Sequence, residues 1–123
     1  MNNKEKTKEF KKRLYTFVLR LIKFVENLSE NRTTKIIGDQ LIRSGTSILG
    51  NYIEAFASSS RKDYTNFFNH SLKSANESKV WVAILRDCKY GDKDEAEWLL
   101  KELDEISQIF GSSILTLKGK KNI

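Results

Sequence analysis

Proline is absent from this 123-residue chain, and cysteine and histidine each occur once, as Cys88 and His70. No apolar run approaches the ~18 residues that a membrane-spanning helix needs. Each scarcity excludes something. Without proline, nothing in the backbone forbids long uninterrupted helices. One cysteine cannot form a disulfide within the chain and suits a reducing compartment, so a cytoplasmic location is expected. One histidine and one cysteine are too few ligands for a zinc site, and no metal or other cofactor is expected. The opening residues, MNNKEKTKEFKKR, carry charge but no apolar stretch after it, so neither a signal peptide nor a membrane partner is expected. The six glycines do not cluster into a phosphate-cradling loop.

What is present is charge and helical periodicity. Charged residues make up 31% and apolar residues 39%, with a net charge of +6. The sign changes along the chain. Residues 1–40 hold ten Lys and Arg against five acids, whereas residues 88–117 hold three against seven. The tail then adds Lys118, Lys120 and Lys121. A basic start and tail around an acidic fourth segment can make one face attractive to phosphates. The same pattern also fits solvated helix faces and frayed ends.

Four amphipathic segments are predicted, at about 7–28, 34–57, 61–89 and 93–117. The first stripe is Phe10, Leu14, Phe17, Leu21, Phe24 and Leu28, and the last is Ala96, Leu99, Leu103, Ile106, Phe110 and Leu117. Thr33 or Thr34, then Ser60 and Asp92, stand where N-caps belong. Short breaks between long helices imply antiparallel neighbours. The expected fold is therefore all-α, a single-domain up-down-up-down four-helix bundle over residues 1–123.

The middle two helices are unusual in placing Ser44, Gly45, Asn51, Ser71, Ser74, Ala75 and Ser78 along the apolar face. Small residues allow close helix approach, and buried polar groups need partners. Gly45 and Gly50 suggest a second backbone close by, since a mid-helix glycine otherwise costs about 1 kcal/mol. Arg43, Asn51, Glu54, Asn76 and Glu77 are the candidate structural or assembly residues, with direct ligand contact as the other reading. In a hairpin turning near Ser59, Glu54 faces Tyr64 and Glu77 faces Leu41, so the two carboxylates lie roughly 20 Å apart and cannot share a metal. Asn51 and Glu77 are expected to be largely buried, with Arg43 near Glu77 as a buried cation. Glu54 is expected to hydrogen-bond at the Ser58–Tyr64 end. His70 is too far from Arg61 for a helical ribonuclease pair, and no Ser/His/Asp set is visible, so enzymatic activity is not expected.

The segments RSGTSILGNYIEA, SSSRKDY and LKSANESKVWVAIL resemble the four-helix-bundle proteins related to those encoded by intervening sequences in bacterial 23S rRNA genes. The likeness runs from about Asp39 to Leu117 and departs at Leu49, Gly50 and Ile53. Members are similar in turn to a retroelement accessory protein that forms a pentameric barrel and binds nucleic acid. The resemblance implies a homo-oligomer, a pentamer, with RNA or DNA as partner. Aromatic residues on several helix faces (Tyr15, Phe17, Phe24, Tyr52, Phe56, Phe67, Phe68) agree with self-association. Lys8, Lys11, Lys12, Arg13, Lys118, Lys120 and Lys121 are the expected phosphate contacts. The alternative is a protein-interaction scaffold that binds no nucleic acid.

Overall fold

Asn2, Asn31, Ser60 and Asp92 start the four helices. Each sits in extended backbone and accepts a hydrogen bond from the N–H three residues on. Such a cap satisfies one orphan donor and contributes about 1 kcal/mol. A computed structural model, which describes residues 2–119, places α1 at Asn3–Glu26, α2 at Arg32–Ala57, α3 at Arg61–Asp87 and α4 at Lys93–Leu117. Ser60 and Asp92 are the expected caps. At α2 the cap is Asn31 rather than Thr33 or Thr34. Thr34 completes a reciprocal box, its hydroxyl accepting the Asn31 N–H at 3.1 Å. Helices α1 and α2 therefore begin earlier than periodicity suggested, because capping and charge, not apolar residues, define their first turns.

The turn from α3 to α4 has its own chemistry. Lys89 adopts a left-handed conformation at φ 63°. The Tyr90 N–H reaches back to the Leu85 carbonyl at 2.8 Å and the Lys89 N–H to that of Arg86 at 3.0 Å. This six-to-one and five-to-two pair is a Schellman ending. Gly91 follows at φ 76°, where an added Cβ would stand 2.8 Å from Leu28. Glycine is required there on both counts.

Backbones approach each other around the ring α1–α2–α3–α4–α1, while the diagonal pairs do not meet, so the architecture is an antiparallel four-helix bundle. The approach is closest between α2 and α3 and widest between α1 and α4. Side-chain size explains the difference. Ser44, Gly45, Ser71, Ala75 and Ser78 are buried on α2 and α3, whereas α1 and α4 bury Leu14, Phe17, Leu21, Leu99, Leu103 and Phe110 completely.

Burying serine hydroxyls in a core costs free energy unless they are bonded. Here the Ser44 and Ser78 hydroxyls lie 2.7 Å apart across the α2–α3 interface. Ser78 donates to the Ser74 carbonyl at 2.8 Å, and Ser71 donates across to the Ile48 carbonyl at 2.9 Å. Two of these bonds tie the helices directly.

Two of the three glycines of α2, Gly45 and Gly50, differ. A Cβ on Gly45 would lie 2.5 Å from a methyl of Leu21, which is fully buried and has little room to move. At Gly50 nothing lies within 4 Å and the residue is exposed, so the expected close backbone is absent there. Gly50→Ala should therefore stabilise the fold by up to about 1 kcal/mol through helix propensity. Gly45→Ala should destabilise it: overpacking costs about 1–3 kcal/mol, and the propensity gain offsets only part. Urea midpoints of the two variants check this, and equal shifts would refute it.

Candidate functional site

Helices α2 and α3 carry the polar residues singled out from the sequence. Arg43 forms an ion pair with Glu77 across the interface, and its Nε donates to Gln40 Oε1 at 3.1 Å. The same Glu77 oxygen accepts the Trp81 indole N–H at 3.1 Å. The partners were legible in advance, but their burial was not. The Glu77 side chain is 35% exposed and that of Arg43 is 53% exposed, so removing Glu77 strands no buried cation. Asn51 is half-buried and donates within its own helix, to the Ser47 carbonyl at 2.9 Å, instead of across the interface. Glu54 is exposed and has no hydrogen-bond partner among the described residues, contrary to the bond expected near the Ser58–Tyr64 turn. Exposed Asn76 accepts a long bond of 3.4 Å from Ser107 on α4. Arg43, Glu77 and Asn76 thus join neighbouring helices, whereas Asn51 bonds within α2 and Glu54 joins none among the described residues.

A second charged seam joins α1 to α4, where the backbones stand furthest apart. Arg13 engages Glu102 through Nε and Nη2, both at 2.8 Å, and reaches Glu105 at 2.7 Å. Arg20 engages Glu95 in the same forked way at 2.8 and 2.7 Å, with its guanidinium 3.5 Å from the Trp98 ring centre. The two arginines and the two main glutamates each repeat at one heptad, in opposite chain directions, so one register satisfies both pairs. The bonds to Glu102 and Glu95 raise both guanidinium pKa values further, against the opposing effect of burial. Planar two-point pairs of this kind are stronger than single contacts, and the long arginine stems span a wide gap. Arg13 thus belongs to the bundle's own wall, and its charge is not free for phosphate.

The lysines behave differently. Lys8, Lys11, Lys12 and Lys118 are exposed, and none has an acidic partner within salt-bridge distance among the described residues. Lys4, Lys8 and Lys11 follow helical spacing and form one stripe on the first three turns of α1. Lys120 and Lys121 lie outside the described residues. Lys23, Arg32, Lys35, Lys89 and Lys93 are exposed toward one end of the bundle, while Lys4, Lys6, Lys8, Lys11, Lys12 and Lys118 lie toward the other, where α1 and α3 begin and α2 and α4 finish. Arg61 confirms that juxtaposition by donating to the Leu117 carbonyl at 2.8 Å.

Six aromatic rings meet at the same end. Tyr52 contacts Phe10, Phe56, Phe68 and Phe110 at centroid distances of 5.2, 5.0, 5.7 and 5.9 Å. Tyr64 stacks on Phe68 at 4.7 Å and meets Phe56 edge-on at 5.4 Å. Burial, with a smaller contribution from Tyr64, pushes the Tyr52 pKa up to about 12, and its hydroxyl donates to the Thr7 carbonyl at 3.4 Å. From the sequence, Tyr52, Phe56 and Phe68, with Tyr15, Phe17, Phe24 and Phe67, stand as surplus for self-association. In fact Phe17, Phe24, Tyr52 and Phe68 are buried in one core and Phe67 packs against it, leaving Tyr15 and Phe56 half or more exposed. The available signal was the spacing of Tyr52 with Phe56 and Tyr64 with Phe68, which flank one turn.

With this geometry established, likeness to known proteins is informative. Residues 6–112 match the 23S rRNA-intervening sequence protein family. The chain belongs to that family. A crystal structure of a protein with unknown function, from the S23 ribosomal protein family of Bacteroides thetaiotaomicron, has the same fold with a TM-score of 0.78. It is 31% identical to this chain, and the match covers 85% of this chain and 96% of that one. No curated protein matches. Among the described residues, no group of three or more His, Cys, Asp or Glu could hold a metal ion, and no helix is long and apolar enough to cross a membrane. His70 is exposed beside Phe67.

The two charged seams should differ in strength. The Glu102 side chain is 14% exposed and held at two points, so Glu102→Gln should lower stability by about 1–2 kcal/mol. The more solvated Arg43–Glu77 pair should contribute about 1 kcal/mol or less, as read from Glu77→Ala. Thermal melts at moderate salt rank the two, and the reverse order would refute the assignment.

Proposed function

We propose that this member of the 23S rRNA-intervening sequence protein family is a non-enzymatic, homo-oligomeric helical bundle that binds RNA or DNA through exposed basic residues. The observation that carries the reading is the set of unpaired lysines at one end, Lys8, Lys11, Lys12 and Lys118, left over after Arg13 and Arg20 are taken by α4. Each lysine set against a phosphate releases condensed counterions, so binding strengthens with the number of contacts and weakens with salt. Lysine is a point charge that reads no base edge, which makes the contact independent of sequence. Binding of random RNA or DNA should fall linearly in log affinity with log salt. Lys8/Lys11/Lys12→Ala should weaken binding at low salt by roughly tenfold or more and flatten the salt slope. Arg13 is left in place because its removal would loosen α1. Equal affinity of wild type and variant, with the fold intact, would reject the reading.

Self-association is the second part of the proposal. Tyr15 and Leu19 are 57% and 52% exposed and sit one turn apart on α1, next to the lysine stripe. A contact there would place the basic stripes of several copies side by side and multiply phosphate contacts. A pentamer is the expected state. Light scattering at tens of micromolar should give an oligomeric mass that Tyr15→Glu/Leu19→Glu reduces, and a monomeric wild type would refute it. The competing reading, a scaffold for a protein partner, is supported by the same exposed apolar pair and predicts no polynucleotide binding at any salt concentration.

A further inference from the structure

At the basic end of the bundle, all four helices border an open cleft of about 680 Å³. That volume lies within the roughly 300–1,000 Å³ typical of ligand pockets. Its aromatic lining is Phe10, Tyr52, Phe56, Tyr64 and Phe68, and its lining includes no carboxylate. Lys6 is the one charged residue in that lining. Two more cations border it: Arg61, bonded to the carbonyl of the lining residue Leu117, and Lys118, the next residue along. Phe56 stands half exposed, and Tyr64 is backed by Phe68 in a stack tilted by 28°.

We infer that this cleft is a stacking subsite for one unpaired nucleobase of a single-stranded nucleic acid, with the flanking phosphates held by Lys6, Arg61 and Lys118. The inference rests on the nucleic-acid reading above and adds to it a strand preference. The charge and the lining select the occupant together. An anionic apolar tail would satisfy the cations but leave the ring faces without a flat partner, and a basic peptide would be repelled. A base attached to a phosphodiester satisfies both requirements, since every base has a π-face and stacking tolerates any sequence. A paired base keeps its faces inside the duplex and cannot enter. The lysine stripe of α1 lies on a different face of that helix from Asn3, Lys6, Thr7 and Phe10, which line the cleft. Phosphate tracking and base stacking are therefore separable by mutation.

The experiment compares a short single-stranded oligonucleotide carrying a central 2-aminopurine with a duplex of the same sequence, at two salt concentrations. Wild type should bind the single strand more tightly, and stacking in the cleft should quench the aminopurine fluorescence. Phe56→Ala should weaken single-strand binding about tenfold, leave duplex binding and the salt slope unchanged, and lose the quench. Phe56→Leu keeps apolar area without a ring face and should behave like Phe56→Ala. Were Phe56→Ala unfolded, Phe56→Leu and the wild-type quench would still decide the matter. Equal single-strand and duplex affinity, with no quench and no effect of Phe56→Leu, overturns the subsite and leaves lysine-driven binding standing. Equal losses for both strand forms also overturn it, since they assign the cleft to folding or assembly. Absence of all binding by wild type at low salt overturns the nucleic-acid reading itself.

Discussion

Everything in this bundle depends on how closely α2 and α3 can approach. Ser44, Ser71, Ala75 and Ser78 remove the bulk that would hold the two helices apart, and each buried hydroxyl is bonded. A core has near-constant density, so space removed on one side must be filled on the other. The large residues of α1 and α4 fill it. The result is an asymmetric bundle: one tight, partly polar interface, and opposite it a wide one filled by Phe and Leu and closed at the surface by forked ion pairs.

That asymmetry redistributes charge. The first segment is basic and the fourth acidic, and the wide α1–α4 gap is the place where long arginine stems can bridge them. Arg13 and Arg20 are neutralised there by Glu102, Glu105 and Glu95. Lys6, Lys8, Lys11, Lys12 and Lys118 are not consumed in this way and sit at one end of the bundle, where an aromatic cleft needs all four helices to exist. Stability and the proposed binding surface thus draw on basic residues but on different members of them: Arg13 and Arg20 at the seam, and mainly lysines at the end. The geometry suits the division, because a guanidinium makes planar two-point pairs and an ammonium does not.

Much of the fold was legible in the sequence because it depends on local rules. Leu14, Phe17, Leu21 and Phe24 fall on one face of α1 at any position in space, and Ser60 and Asp92 cap whatever helix follows them. The buried row of α3, from Phe68 through Ser71, Ala75, Ser78 and Val82 to Leu85, also follows the expected period. The pairing of Arg43 with Glu77 was legible as well, since a short hairpin turn sets the α2–α3 register within narrow limits. Exposure was not. Glu54 and Asn51 lie on the rim of α2 rather than in the interface, because α3 meets α2 along the row through Ser44 and Ile48.

The sequence by itself determined four amphipathic helices, their order, the antiparallel connections and the small-residue face. Each follows from periodicity and capping within a few turns. Only the tertiary structure decided which charges are free and where the aromatic side chains gather. Arg13 and Glu102 are 89 residues apart, and nothing near either residue specifies the register of α1 on α4. That register comes from the packing of the whole core. Of the basic residues near the N-terminus, Arg13 consequently became part of the wall, while Lys8, Lys11 and Lys12 remained available to solvent or to phosphate.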